Sequence, residues 1–376
     1  MVRAVMVTSS FLPGHGGIET YLAELCSDLA PRMAVLAPAS RGTETIPQDI
    51  GYPTAGYPGT MLWPGRSVAR AVEETCARHE VKRVLFGTPW PLSLIGPRLK
   101  RAGINYASIV HGSELFVPAA VPFLRKKVAR ALAGADALFP VSEFTSRKTS
   151  TFLQRMRCDV PPIHVLYARV DTGRFTPAVT TRSVRKRFGI DDHDRVVLCF
   201  GRLVKRKGVD RMIDALPDVT RAIPGATLLI AGTGPEKETL ERRAEKIEGR
   251  VIFAGRVSDE DAPAVFALAD VFAFPVADRY AGLDTEGLGV VLLEAAASGT
   301  ACVTGRSGGT PEAVIDGESG YVIDARSRHQ LVGRIVDILM DEEEAARMGA
   351  LGRAHVERNF SKETPPADLL EWVTGT

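Results

Sequence analysis

The chain is predicted to be α/β, with two doubly wound parallel domains in tandem, and three observations lead there. At 376 residues it exceeds what one ordinary hydrophobic core serves and points to about two domains. Short apolar runs alternate with helical patterns from end to end, the rhythm of βαβ units that sandwich a parallel sheet between helices. The two halves also echo each other: Gly134-Ala-Asp136-Ala-Leu-Phe-Pro-Val141 resembles Leu268-Ala-Asp270-Val-Phe-Ala-Phe-Pro-Val276. In both, a helix ends in Ala-Asp and passes into an apolar strand. One weak repeat of this kind fits two similar halves and not a solenoid.

In the first half the strands are expected at Ala4–Thr8, Met33–Ala37, Arg83–Phe86, Tyr106–Val110 and Ala137–Val141, with helices at Ile18–Leu29 and Arg66–Arg78. In the second half they are expected at Arg195–Phe200, Ala226–Ala231, Arg250–Phe253, Val271–Phe274 and Ala301–Thr304, with helices at Val209–Ile223, Pro235–Lys246 and Pro263–Ala269. The boundary falls within His164–Phe175, where an apolar run gives way to Asp171-Thr-Gly173. This divides the chain into domains 1–168 and 169–359, leaving 360–376, with a helix in Ser361–Val373, to pack back over one of them. Two Rossmann-like halves facing across a cleft are the arrangement expected, since open α/β sheets bind ligands at the carboxyl ends of their strands.

Composition narrows the class. A hydrophobic share of 45% and a charged share of 24% are those of a soluble globular protein. The five cysteines are scattered without a CxxC pair, which suggests neither a disulfide framework nor a zinc site and fits a reducing cytoplasm. Met1–Ser10 reads as a first buried strand rather than a signal peptide, and no apolar run reaches the roughly 18 residues that span a bilayer. The net charge of +2 is uneven: residues 1–165 carry +7 and the rest −5. Either the first half meets something anionic or the asymmetry is a chance of solvated faces.

Glu286 and Glu294 stand eight positions apart around an apolar run, a little over two helical turns, so both carboxylates share a face if most of the segment is helical. The Gly-Leu288-Gly289-Val290 between them suits a loop whose amides sit at a helix N-terminus, where an anion binds. The plainer alternative is a dipole-favoured Glu at a helix start followed by a satisfied core Glu. Gly201-Arg202-Leu-Val-Lys205-Arg206-Lys207-Gly208 directly follows an expected strand, so its cations sit where a pyrophosphate would, a planar fork beside a compact charge.

Gly14-His15-Gly16-Gly17 follows the first strand and opens a helix, again with glycines where a ligand can approach the backbone. It is not GxGxxG, and Val35-Leu-Ala-Pro38 holds no acidic residue for a ribose, which disfavours NAD. His111, after the strand Tyr106–Val110, is placed to hydrogen-bond a substrate or move a proton, although a lone histidine is more often structural. Gly232-Thr-Gly234-Pro235 reads as a strand-to-helix turn, and Thr304–Glu312 as a flexible loop entering a helix. Asp192-His193-Asp194 and Asp259-Glu260-Asp261 lie in turn-like stretches without a convergent third group, so no metal site is expected. Neither a nucleophile elbow nor a P-loop is present.

Taken in order, Gly16-Gly17-Ile18, His111-Gly112-x-Glu114, Gly201-Arg202-Leu-Val-x-x-Lys207-Gly208, Gly232-x-Gly234-Pro235 and Glu286-x7-Glu294 make the chain resemble the retaining GT-B glycosyltransferases of family 4 along nearly its whole length. Thr8-Ser-Ser-Phe11, Gly282-Leu-Asp284-Thr-Glu286 and Ser307-Gly-Gly-x-Pro-Glu312 make it most similar to actinobacterial GDP-mannose-dependent phosphatidylinositol mannosyltransferases. The resemblance implies a GT-B fold with the C-terminal helix packing back on the N-terminal domain. It implies mannose transfer from GDP-mannose to a lipid acceptor, with no cofactor and no metal. By the same resemblance Arg202 and Lys207 hold the donor's pyrophosphate, and Glu286 contacts the sugar hydroxyls. Glu294 contacts the ribose, His111 lies beside the transferred sugar, and Gly16 and Gly17 border the phosphates. Arg256, after the strand Arg250–Phe253, is the candidate for the base.

Three residues depart from the family pattern: Ser113 in the His-Gly-x-Glu motif, Ser10 where an acidic residue is frequent, and Arg169 where the linker usually has Gly. The last implies a hinge built differently, because the usual glycine suits a positive φ. The readings carried alongside are another donor (UDP-glucose or UDP-GlcNAc), a soluble acceptor, a sugar-nucleotide epimerase, and a non-catalytic nucleotide-binding protein. Leu115–Leu132 mixes apolar residues with Arg125, Lys126, Lys127 and Arg130. It is expected either to lie on an anionic membrane surface, placing the protein on the inner face of the plasma membrane, or to be a surface helix packed on its own core. No nucleic acid partner is expected.

Overall fold

Runs of Val, Leu, Ile, Ala and Phe with no polar alternation can be buried on both faces, and such runs form the inner strands of two parallel sheets. The computed structural model describes residues 1–14, 16–41, 44–46 and 50–375. It divides into two units, Met1–Ala168 with Pro365–Thr376, and Arg169–Thr364.

The first unit contains β1 (Ala4–Val7), β2 (Met33–Pro38), a short antiparallel pair β3 (Ser40–Arg41) and β4 (Glu44–Thr45), β5 (Thr54–Tyr57), β6 (Arg83–Phe86), β7 (Asn105–Val110) and β8 (Ala137–Pro140). Its six-stranded sheet runs β5-β2-β1-β6-β7-β8. The second unit contains β9 (Arg195–Phe200), β10 (Ala226–Ala231), β11 (Arg250–Gly255), β12 (Val271–Phe274), β13 (Ala301–Gly305) and β14 (Gly320–Ile323), in the order β11-β10-β9-β12-β13-β14. Both orders are the doubly wound 3-2-1-4-5-6 pattern, whose switch point lies between the first and fourth strands. The α/β, Rossmann-like reading of both halves therefore holds.

Besides the two-residue pair β3 and β4, two strands of the main sheets escaped the sequence reading. Thr54–Tyr57 lies at a sheet edge, only half-buried, and its Thr-Ala-Gly-Tyr has no apolar run; Gly320–Ile323 is also a four-residue edge strand. The internal echo has a physical cause. Asp136 accepts a hydrogen bond from the Tyr106 N–H (2.8 Å), and Asp270 accepts one from the Val196 N–H (2.7 Å). In each unit the Ala-Asp carboxylate thus caps the start of the neighbouring strand.

Prolines shift two expected elements. Leu115–Leu132 is two helices, Ser113–Ala120 and Pro122–Ala133, separated at Val121 because a residue before proline is driven from helical to extended backbone. The last helix starts only at Ala367, after Pro365-Pro366. Its Leu369 and Val373 enter the first unit's core, and the Trp372 carbonyl accepts from Arg83 at 2.7 Å. Residues 360–364 do not return with it. Val170 N–H donates to the Phe360 carbonyl at 2.7 Å and Lys362 N–H to the Val170 carbonyl at 3.0 Å, which holds that stretch in the second unit. Arg169 is not among the described residues with positive φ, and its guanidinium donates to the Thr364 carbonyl at 3.0 Å. The departure from glycine therefore does not require a positive φ.

Candidate active site

The second unit gathers its chemistry at the β9/β12 switch point. The loop after β9 turns tightly against its neighbours: a Cβ at Gly208 (φ +73°) would stand 2.1 Å from the Pro275 carbonyl oxygen. Gly232 and Gly234 are glycines for packing, since a Cβ on either would strike the backbone of Gly201 or Leu203. This close approach delivers Lys207 over the Phe274 ring at the end of β12, Nζ to centroid 4.4 Å, a cation–π contact.

Lys207 Nζ also lies 3.3 Å from Glu286 Oε2, and both side chains are nearly enclosed, at 14% and 13% exposure. Arg206 pairs with Glu286 as well, and its Nε is 2.9 Å from Asp284 Oδ1. The Glu286 backbone is anchored separately, its N–H donating to Ser307 Oγ at 3.2 Å while its carbonyl accepts from the Gly309 N–H at 3.1 Å. Burial alone opposes the Glu286 charge, but Lys207 and Arg206 outweigh it and hold the carboxyl below its usual range. Burial also pulls the Lys207 ammonium below its ordinary value, an effect that Glu286 and Glu294 only partly offset. A diphosphate at this lysine would supply the negative charge that burial makes the ammonium need.

The expected helix at the glutamates begins later than an unbroken Glu286–Glu294 helix would: it is Val290–Ala297, with Gly289 at its N-cap in a left-handed conformation (φ +88°) and no side-chain cap. Glu286 sits in the preceding loop, and the buried Leu288 and Gly289 lead into a first turn in which Leu292 N–H donates to the Gly289 carbonyl at 2.8 Å while the Val290 and Val291 N–H groups have no intrahelical acceptor. Glu294, one turn into the helix, acts on Lys207 through its charge. The two glutamates thus converge on one lysine, although from a loop and a helix rather than from one helical face.

Arg202 is exposed and, among the described residues, pairs with no other side chain, but it lines a small pocket together with Lys207 and Phe274. Arg256 is exposed just after β11, whose end is tied to the β10 turn by the Gly232 N–H to the Gly255 carbonyl, 2.7 Å. His111, Gly16 and Gly17 belong to the first unit. His111 Nε2 is 2.9 Å from the Gly87 carbonyl, an acceptor only, so Nε2 carries the hydrogen and Nδ1 is left as an acceptor. Its ring meets Tyr21 edge-on at 5.5 Å. Gly16 caps the helix Gly17–Asp28, with Glu19 folded back so close that a Cβ at Gly16 would overlap it, whereas a Cβ at Gly17 would meet nothing within 4 Å. His15 lies outside the described residues.

The residues missed from the sequence are Arg206 and Asp284. The run Lys205-Arg206-Lys207 and the spacing Asp284-Thr-Glu286 signalled charge there, but only the turn decides which cations face the acids. The segment Asp191, His193 and Asp194 does bring three ligand atoms within 4.8 Å of one another. Asp194 is already committed to Arg250 at 2.7 Å and to the Asp191 N–H at 2.9 Å. Asp261 is held by Arg187 at 2.6 Å.

In the first unit the helix Pro122–Ala133 buries Val128, Ala129, Ala131 and Leu132, while Phe123 is 72% exposed beside the exposed Arg125, Lys126 and Lys127. It is thus a surface helix whose second half packs on its own core. Among the described residues, no helix is long and apolar enough to cross a membrane.

Comparison with known proteins agrees with this architecture. Residues 180–355 match the family described as "Glycosyl transferases group 1". A GDP-mannose-dependent alpha-(1-6)-phosphatidylinositol monomannoside mannosyltransferase of Mycolicibacterium smegmatis is 38% identical over 99% of this chain and 98% of its own length. A GDP-mannose-dependent monoacylated alpha-(1-6)-phosphatidylinositol monomannoside mannosyltransferase of Corynebacterium glutamicum is 34% identical over 96% and 95%. Among solved structures, Anabaena HepE in complex with UDP superposes with a TM-score of 0.81 over the full length of both chains at 19% identity, which is a likeness of fold.

Proposed function

We propose that this chain, which belongs to the group 1 glycosyltransferases, moves mannose from GDP-mannose to a phosphatidylinositol-based glycolipid such as the monomannoside. The observation that carries the reading is the buried Lys207, whose ammonium lacks full compensation and faces two glutamates at the switch point. Full-length likeness to relatives with this donor in their names supports the choice of GDP-mannose.

In this reading Lys207 and the free fork of Arg202 take the diphosphate, with the amides of Leu288, Gly289 and Val290 at the helix start. Each carboxylate oxygen of Glu286 accepts more than one hydrogen bond, so Glu286 receives sugar hydroxyls while still paired to Arg206. Glu294 takes the ribose and Arg256 approaches the base. The bond from the anomeric carbon to the phosphate oxygen breaks as the acceptor hydroxyl attacks from the same face. The hydroxyl proton passes to the departing phosphate, and configuration is retained. Cations and amides already in place stabilise the charge that develops on the leaving group, and this reading gives that work to them rather than to a metal. Phe123 with Arg125, Lys126 and Lys127 forms the contact with an anionic cytoplasmic membrane face, from which the lipid acceptor is drawn.

The test is transfer of radiolabelled mannose from GDP-mannose to phosphatidylinositol or its monomannoside in liposomes, with UDP-glucose and UDP-GlcNAc as competing donors. Labelled glycolipid from GDP-mannose alone is expected. Transfer chiefly from a UDP-sugar, or isomerised sugar nucleotide without acceptor, would overturn the assignment.

A further inference from the structure

A cavity of about 530 Å³ opens in the second unit beyond the Lys207–Glu286 cluster, at the carboxyl ends of β9, β12 and β14. Its wall carries Lys205, Arg211, Arg279 and Arg326, with Tyr280 and a single carboxylate, Asp278. None of Arg202, Lys207, Glu286 and Glu294 lines it.

The charges here do not cancel. Lys205 is spent on Asp210 at 2.9 Å. Asp278 accepts from the Ser307 hydroxyl at 2.5 Å, a neutral donor, so its carboxylate still balances one cation of the wall and the guanidiniums remain in excess. The three guanidinium groups are fixed by neutral acceptors instead. Arg211 donates to the Pro275 carbonyl at 2.8 Å, and Arg326 to the Asp278 carbonyl at 3.0 Å. Arg279 donates to the Tyr280 hydroxyl at 3.3 Å, with its plane over the same ring at 4.8 Å. Among the described residues, none of the three pairs with a carboxylate. A carbonyl orients a guanidinium without neutralising it. Three like charges held around one concavity repel each other until an anion enters, and guanidinium forks match phosphate oxygens.

We propose that this cavity is a second anion site, separate from the donor's, that takes a small phosphate-bearing ligand. Its volume is within the range of small-molecule sites and exceeds the needs of a bare ion, so the ligand carries a body beyond the phosphate. Tyr280, 66% exposed at the rim, offers that body an aromatic face and a hydroxyl. A soluble phosphate ester and a phospholipid headgroup share this chemistry.

The two sources are separated by two titrations of protein saturated with GDP, which fills the donor site. One uses inorganic phosphate followed by ³¹P line broadening. The other uses phosphatidylcholine vesicles with and without phosphatidylinositol, followed by co-sedimentation. Saturable binding of phosphate is expected, weakened by roughly tenfold for each guanidinium removed in Arg279→Ala and Arg326→Ala, with GDP affinity unchanged. If vesicle binding depends on phosphatidylinositol and falls in the same variants, the ligand is a headgroup; if phosphate alone responds, it is a soluble ester. Arg279→Gln with Arg326→Gln repeats the test with less change in volume should the alanine variants lose GDP binding. Absence of phosphate binding by the GDP-saturated wild type, or binding that survives both substitutions, overturns the proposal. Should GDP itself not bind, the donor reading fails alone, and the same variants decide this site on unliganded protein.

Discussion

Replacing Lys207 by alanine separates a catalytic cation from a structural one. The substitution removes an ammonium 3.3 Å from Glu286 and 4.4 Å above Phe274. Stripping one partner from a buried ion pair costs about 3–5 kcal/mol when the other charge is left alone. Glu286 is not left alone, because Arg206 still pairs with it and ties it to Asp284. Burial of Lys207 is itself unfavourable, so its removal returns part of the loss. The net stability change is therefore expected near the size of one charged hydrogen bond, about 1.5–3 kcal/mol, or roughly 3–12 °C in Tm for a unit of this size. A preorganised group aimed at developing charge is worth about 3–4 kcal/mol, a factor of roughly 100 to 1000 in kcat. The assay pairs mannosyl transfer to liposomal acceptor with thermal melting and GDP titration. Turnover within roughly tenfold of wild type would refute the role given to Lys207. Arg206→Ala is the contrast: it breaks both the Glu286 and Asp284 contacts and should lower Tm further than Lys207→Ala does.

The depressed Lys207 predicts proton uptake on GDP binding. A diphosphate restores the ammonium's pKa, so affinity is greatest below the free-protein value and falls as pH rises from it towards the bound value; calorimetry in buffers of different ionisation enthalpy reads this, and no buffer dependence at alkaline pH would contradict it. Gly208→Ala places a Cβ 2.1 Å from the Pro275 carbonyl at φ +73°, so urea unfolding should show a loss of about 1–3 kcal/mol or more, while a neutral result would mean that the loop is not held there. Phe123→Ser combined with Lys126→Glu should weaken binding to anionic vesicles at low salt while leaving Tm within about 2 °C, since both side chains are exposed. Unchanged vesicle binding would rule out that helix start as the membrane contact.

Much of the architecture was legible without coordinates, because a parallel strand buried on both faces must be apolar throughout and therefore announces itself. All ten strands read from the sequence are present, eight of them inner strands; the two missed in the six-stranded sheets, Thr54–Tyr57 and Gly320–Ile323, are edge strands whose burial is incomplete or whose length is minimal. The cations after β9 and the paired glutamates were visible too, since charge beside apolar runs at strand ends is conspicuous. Which of those charges meet was not. Lys205, Arg206 and Lys207 are consecutive, yet a short turn sends Lys205 to Asp210, Arg206 to Asp284 and Glu286, and Lys207 to Glu286 and Phe274. The cavity of Arg211, Arg279 and Arg326 was invisible for the same reason, its residues being spread over more than a hundred positions. Local sequence determined the elements and the chemistry available at their ends, because burial and backbone preference act over a few neighbouring residues. The partners of each charge were decided only by tertiary structure, because electrostatic pairing depends on distances of a few ångströms that strand order and close glycine contacts set across the whole unit.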